Sequence, residues 1–166
     1  MTSRILLLLA CAGLGACGLR PVYSGGSSGP VAQTLRTIQV GPIEGQAGWL
    51  VRNKLIDRLS ASGSADPAYR LDVLLDDNLT SFGIRGDRAA TRERRTLRAR
   101  FQLVSLSTGL VVLDATAGSD AGIDVVSSEY ATVAAEQTAL ENLAGIVADQ
   151  IVARLATYGG RGQPGR

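Results

Sequence analysis

Two features of this chain are built from residues that do chemistry. The first is Cys17, which closes the run Leu14-Gly15-Ala16-Cys17. An aliphatic residue, two small residues and a cysteine have the form of a bacterial lipobox. A thiolate is the nucleophile that would take up a diacylglyceryl group, and the small side chains before it let a peptidase reach the backbone. The second feature is arginine. Arg85, Arg88, Arg92, Arg94, Arg95, Arg98 and Arg100 fall within 16 residues, opposed in that stretch only by Asp87 and Glu93. Guanidinium forks match phosphate and carboxylate oxygens in pairs. The even spacing of Arg94, Arg98 and Arg100 puts them on one face of a strand, where they could meet several anions at once. The plainer reading is a solvated polar face. All but one of the 17 basic residues are Arg, in a chain rich in Ala and Gly, which points to a G+C-rich genome.

What is missing narrows the chemistry further. The sequence has no His, and both Cys, Cys11 and Cys17, lie at the N-terminus. The rest of the chain therefore has no thiol or imidazole for nucleophilic catalysis, no soft metal ligands and no means of forming a disulfide within itself. No G-x-S-x-G and no P-loop pattern is present. Asp, Glu and Ser remain as possible catalytic groups. The expectation is a binding protein, not an enzyme, with no metal and no cofactor beyond acyl chains on Cys17.

Residues 1–16 read as a signal peptide. Arg4 gives a positive start, and Ile5 to Ala12 form an apolar run. That run is shorter than the roughly 20 residues a membrane-spanning helix needs. A second lipobox candidate, Leu8-Leu9-Ala10-Cys11, would leave a shorter apolar run still, which favours Cys17. Two or three acyl chains would anchor the mature protein firmly, at ~0.8 kcal/mol per buried CH2. Gly18 stands where an Asp would favour retention in the inner membrane, so the expected place is the periplasmic face of the outer membrane. Removing residues 1–16 leaves a nearly neutral chain, which gives no reason to expect nucleic acid. Residues 17–30, with Ser24-Gly25-Gly26-Ser27-Ser28-Gly29-Pro30, read as an acylated tether ahead of a domain at 31–158.

Several elements must position the arginines. Leu35 to Val40 reads as a strand ended by Gly41-Pro42. Residues 46–60 read as a helix, with Trp49, Leu55, Ile56 and Leu59 at core spacing and Trp49 as a packing residue. A second strand alternates through Tyr69, Leu71, Val73 and Leu75, and runs on through Leu79 and Phe82. In the third, Leu97, Ala99, Phe101 and Leu103 take one face, and Arg94, Thr96, Arg98, Arg100 and Gln102 the other. Ser107-Thr108-Gly109 makes a hairpin turn into a fourth strand at about 110–118. A loop at 119–128 leads to a helix at about 129–157, capped by Ser128 and striped by Leu140, Leu143, Val147, Ile151 and Leu155. Tyr130 and Tyr158 bracket it as packing residues. Gly159-Gly160 should end it, with 159–166 as a disordered tail. The order β-α-β-β-β-α predicts an α+β two-layer sandwich. It would have a four-stranded, mostly antiparallel sheet, two helices on one face and an open polar face bearing the arginines.

Taken in order, these residues resemble the LptE family of lipopolysaccharide-assembly lipoproteins, in particular the alphaproteobacterial forms. The resemblance rests on the lipobox running into Cys17-Gly18-Leu19-Arg20-Pro21-Val22-Tyr23, on Val51-Arg52-Asn53-Lys54-Leu55, on Ala90-Thr91-Arg92 and on Ser107-Thr108-Gly109. It rests too on the C-terminal run from Tyr130-Ala131-Thr132 to Thr157-Tyr158. It covers most of residues 17–158. It implies the same element order, a position as a plug inside an LptD-type β-barrel, help in assembling that barrel, and direct binding of lipopolysaccharide or a similar anionic glycolipid. Arg85, Arg88, Arg92, Arg94, Arg98 and Arg100 are the candidate ligand contacts. Contact with the barrel's inner wall is a second use for the same face. The alternative function is that of an auxiliary lipoprotein in an ABC-type envelope lipid transport system.

Overall fold

The computed structural model describes residues 29–61, 63, 65–84 and 90–161. Cys17, the expected signal peptide, most of the expected tether, Arg85, Arg88 and the last five residues lie outside them. The first element among the described residues is a helix, α1 (Pro30–Arg36), where the sequence suggested tether and strand. Pro30 sits at the first helical position, where a missing N–H costs nothing. Val31 and Leu35, one turn apart, are both buried. The first strand shrinks accordingly to β1 (Ile38–Val40). The helices described thus number three where two were expected.

Next comes α2 (Gly45–Ser60). Its buried stripe is Ala47, Val51, Leu55 and Leu59, four residues apart. Trp49 lies about 200° around the helix from Val51 and is 63% exposed, so it is not the packing residue the sequence suggested. It shares a flank with the half-buried Ile56.

The sheet is ordered β1-β2-β3-β4, with β2 (Tyr69–Ile84), β3 (Ala90–Ser105) and β4 (Val111–Asp124). β1 pairs parallel to β2, and the other pairs are antiparallel. The third-strand alternation holds: Leu97, Ala99, Phe101 and Leu103 are all buried. Gly109, at φ 70°, turns the chain from β3 into β4, and its N–H donates to Ser105 O at 2.8 Å. β4 runs to Asp124, so the expected loop at 119–128 is a strand over its first half. Ala121 and Ile123 face the helices there, paired with Arg95 and Glu93.

The last helix, α3 (Glu129–Arg161), is 33 residues long, about 50 Å at the α-helical rise, and so matches the long strands. Ser128 caps it, its Oγ accepting from Ala131 N at 3.4 Å. The Leu140 to Leu155 stripe is fully buried. Tyr158 packs edge-on against Tyr69, with ring centroids 6.3 Å apart. Tyr130 is exposed instead. Gly159-Gly160 do not stop the helix. A Cβ on Gly159 would lie 3.2 Å from Thr34 Cβ, so glycine here lets α1 cross close above the helix. Arg58 reaches from α2 to Asp149 on α3, its Nη2 donating at 3.1 Å. The three helices and one sheet face enclose a single apolar core. No described helix is long and apolar enough to cross a membrane.

Candidate ligand-binding face

The other sheet face is polar, and strand register dictates what stands on it. Even-numbered residues of β2 and β3, and those of β4 from Asp114 onward, share this side. The cross-strand rows are Leu74–Arg100–Thr116, Asp76–Arg98–Gly118, Asn78–Thr96–Asp120 and Phe82–Arg92–Asp124. The fold brings Arg94, Arg98 and Arg100 together on it, as their spacing implied, and adds Arg92 to them. Arg85 and Arg88 lie outside the described residues. Arg95, odd-numbered, points to the helix side. There its Nη2 meets Asp77 at 2.6 Å and its Nη1 donates to Glu136 O at 3.1 Å.

The aspartates opposite these arginines come from other strands, where the local sequence gave no hint of them. Arg92 Nε meets Asp124 at 2.9 Å, and Arg100 Nη2 meets Asp114 at 2.8 Å. Arg94 stands 3.8 Å from Asp120 and 5.7 Å from the centre of the Phe82 ring. Hydrogen bonds from Arg100, then from Gln102, hold the Asp114 carboxyl down to about 2. This is a surface of exchangeable ion pairs rather than an unbroken positive strip.

Arg98 is the exception. Among the described residues it has no carboxylate partner and no hydrogen bond, and neither has Arg154 of α3. Gly118 makes room for Arg98: a Cβ there would fall 2.6 Å from Arg98 Cδ and 2.7 Å from its Nη1. The arginine therefore lies across β4 toward α3. Gln150 closes the strand edge at the same point, accepting from Gly118 N at 2.9 Å and donating to Gly118 O at 3.2 Å. Around these groups lies an open concavity of about 690 Å³, lined by Leu74, Arg98, Arg100, Thr116, Gly118, Gln150 and Arg154 among others. Leu74 is 75% exposed on its wall. Two guanidiniums outside any ion pair, with a single carboxylate, Asp76, on the same wall and an apolar side chain and a hydroxyl beside them, suit an anionic, partly apolar ligand. Sequence reasoning missed Arg154 and Leu74. Arg154 comes from a distant helix, and Leu74 sits on the polar side of a strand whose other leucines read as core. Among the described residues no group of three or more acidic, Cys or His side chains is placed to hold a metal.

The lipopolysaccharide-assembly family LptE matches residues 35–155 of this chain. Among solved structures, a lipoprotein from Caulobacter crescentus CB15 is similar at TM-score 0.65 and 28% identity, over 82% of this chain and 100% of that one. A minor lipoprotein from Acinetobacter baumannii gives TM-score 0.60 at 14% identity, over 74% of this chain and 92% of that one. Rare lipoprotein B from Shewanella oneidensis gives 0.56 at 13%, over 73% and 92%. The last two share the fold. Comparison of the sequence with curated proteins gives no match.

Proposed function

Because this chain belongs to the LptE family of lipopolysaccharide-assembly proteins, we propose that it works at the outer membrane as the lipoprotein partner of an LptD-type β-barrel. In this reading Cys17 carries the acyl anchor and the folded domain plugs the barrel. The domain helps the barrel assemble and handles lipopolysaccharide on its way to the outer leaflet. It acts by binding, without catalysis.

The observation that carries the ligand side of this reading is the concavity over β3 and β4, where Arg98 and Arg154 stand free of carboxylate partners among the described residues. Phosphates of a glycolipid would meet these two guanidiniums first. Arg92, Arg94 and Arg100 would follow by exchanging an aspartate for a phosphate. Such an exchange is cheap, because an exposed ion pair contributes only about 0–1 kcal/mol. Arg85 and Arg88, next along the chain from β2, complete the candidate set. Leu74 offers apolar contact to an acyl chain or a sugar face.

Affinity purification of the acylated chain from Gram-negative membranes tests the partner. A single large outer-membrane barrel should co-purify with it. Recovery of an inner-membrane permease instead would favour an ABC-type transport accessory and contradict the plug reading.

A further inference from the structure

The end of the molecule where the described chain begins also carries an apolar, uncharged turn. We propose that this turn, Leu106 to Val111 between β3 and β4, docks onto the phospholipid surface that holds the acyl chains of Cys17. The proposal rests on acylation of Cys17 and extends it from an anchor to a fixed orientation.

Leu106, Leu110 and Val111 are 45%, 66% and 49% exposed. From Leu103 to Leu113 the sequence has no charged residue. Exposed apolar residues scattered singly are ordinary on a protein surface. On the sheet face, Leu74 and Phe82 stand among arginines and aspartates. Three within one uncharged turn make a different kind of surface, suited to the boundary between headgroups and acyl chains.

Hydrogen bonds place this turn beside the point where the tether enters. Leu106 N donates to Ala68 O at 2.9 Å. Ala68 N and Tyr69 N in turn donate to Thr37 O, at 2.9 and 3.1 Å, and Thr37 closes α1. α1 lies against the last turns of α3 at Gly159 and Gly160. Gly29, the C-terminal end of α3 and the β3–β4 turn therefore share one end of the molecule. Cys17 stands twelve residues before Gly29, a stretch of chain that can reach at most about 40 Å. An acyl anchor on Cys17 would hold this end close to the bilayer at high effective concentration. Of the charged residues in the adjoining segments, Asp66 is negative and Arg36 and Arg161 are positive. The docking contact itself would be apolar, made by Leu106, Leu110 and Val111.

The test uses the acylated full chain in phosphatidylcholine vesicles, without any barrel, with brominated lipid as a quencher of Trp emission. In a Trp49→Phe background, Leu110→Trp and Leu106→Trp should each lose roughly half or more of their emission, as expected for a side chain lodged at the acyl boundary. Tyr130→Trp, at the far end of α3, should keep its emission, as should Trp49 of the unsubstituted chain. A chain that floats with the vesicles while the Leu106→Trp and Leu110→Trp probes stay as bright as Tyr130→Trp overturns the docking proposal alone. A chain that does not float overturns the anchor reading and this proposal with it.

Discussion

On the open face of the sheet, arginine is held by neighbours that can let it go. The Arg92–Asp124, Arg94–Asp120 and Arg100–Asp114 pairs are exposed and stabilise the fold little. They do keep the guanidiniums extended and ready. On the helix face the same chemistry has a cost. The Glu136 carboxyl is pushed up, first by burial, then by the charge of Glu93 and a hydrogen bond with it, while Arg95 opposes the shift. A raised folded-state value means that Glu136 supports the fold most below its ordinary 4.5, and that this support is lost as pH rises through the raised value. Glu136→Gln should therefore stabilise the protein at neutral pH, by on the order of a few tenths of a kcal/mol for a half-buried group near the surface. The gain should fade once pH falls below the usual carboxylate range. Urea unfolding of both forms at the two pH values checks this, and an equal gain at both would contradict it. The spacing of the arginines gave their shared face, because strand parity is local information. It could not give their aspartates, because Asp114, Asp120 and Asp124 become neighbours only through the β3–β4 register. Trp49 misled for a related reason. It lies seven residues from Ile56 and so looks core-spaced, but the buried stripe runs through Ala47 and Val51.

At the scale of elements, legibility tracked side-chain size. The Leu97 to Leu103 alternation in β3 and the Leu140 to Leu155 stripe in α3 were readable because large apolar residues carried the period. The second half of β4, Gly118-Ser119-Asp120-Ala121-Gly122, has low strand propensity of its own. It becomes a strand because β3 offers it a full ladder and Gln150 closes its free edge at Gly118. α1 was hidden behind Gly29-Pro30, which looks like the end of a linker until Val31 and Leu35 have a core to enter. That core is centred on Phe101, fully buried between the sheet and the helices. Phe101→Ala should destabilise the domain by about 3–5 kcal/mol through lost burial and a cavity. Chemical denaturation measures it, and a loss near zero would mean that the sheet face facing the helices is not the core.

For the whole molecule, one layer of helices and one open sheet face give a body with a dry side and a side left for contact. Its fold class was legible from element order, although the third helix was not. The proposed acyl anchor belongs to this scale too. Cys17→Ala should abolish acylation and leave the chain soluble or still carrying its signal peptide. Membrane fractionation with mass spectrometry of the N-terminus checks this, and full outer-membrane recovery of that variant would remove the lipid assignment. The central claim, that the open face receives an anionic glycolipid around Arg98, is tested most directly by lipopolysaccharide affinity. Arg98→Glu should be compared with Lys54→Glu, which makes the same charge change on an exposed position of α2. Arg98→Glu should weaken binding about tenfold or more, a loss of about 1.4 kcal/mol or greater, while Lys54→Glu leaves it unchanged. Equal affinities for the two variants would contradict the account.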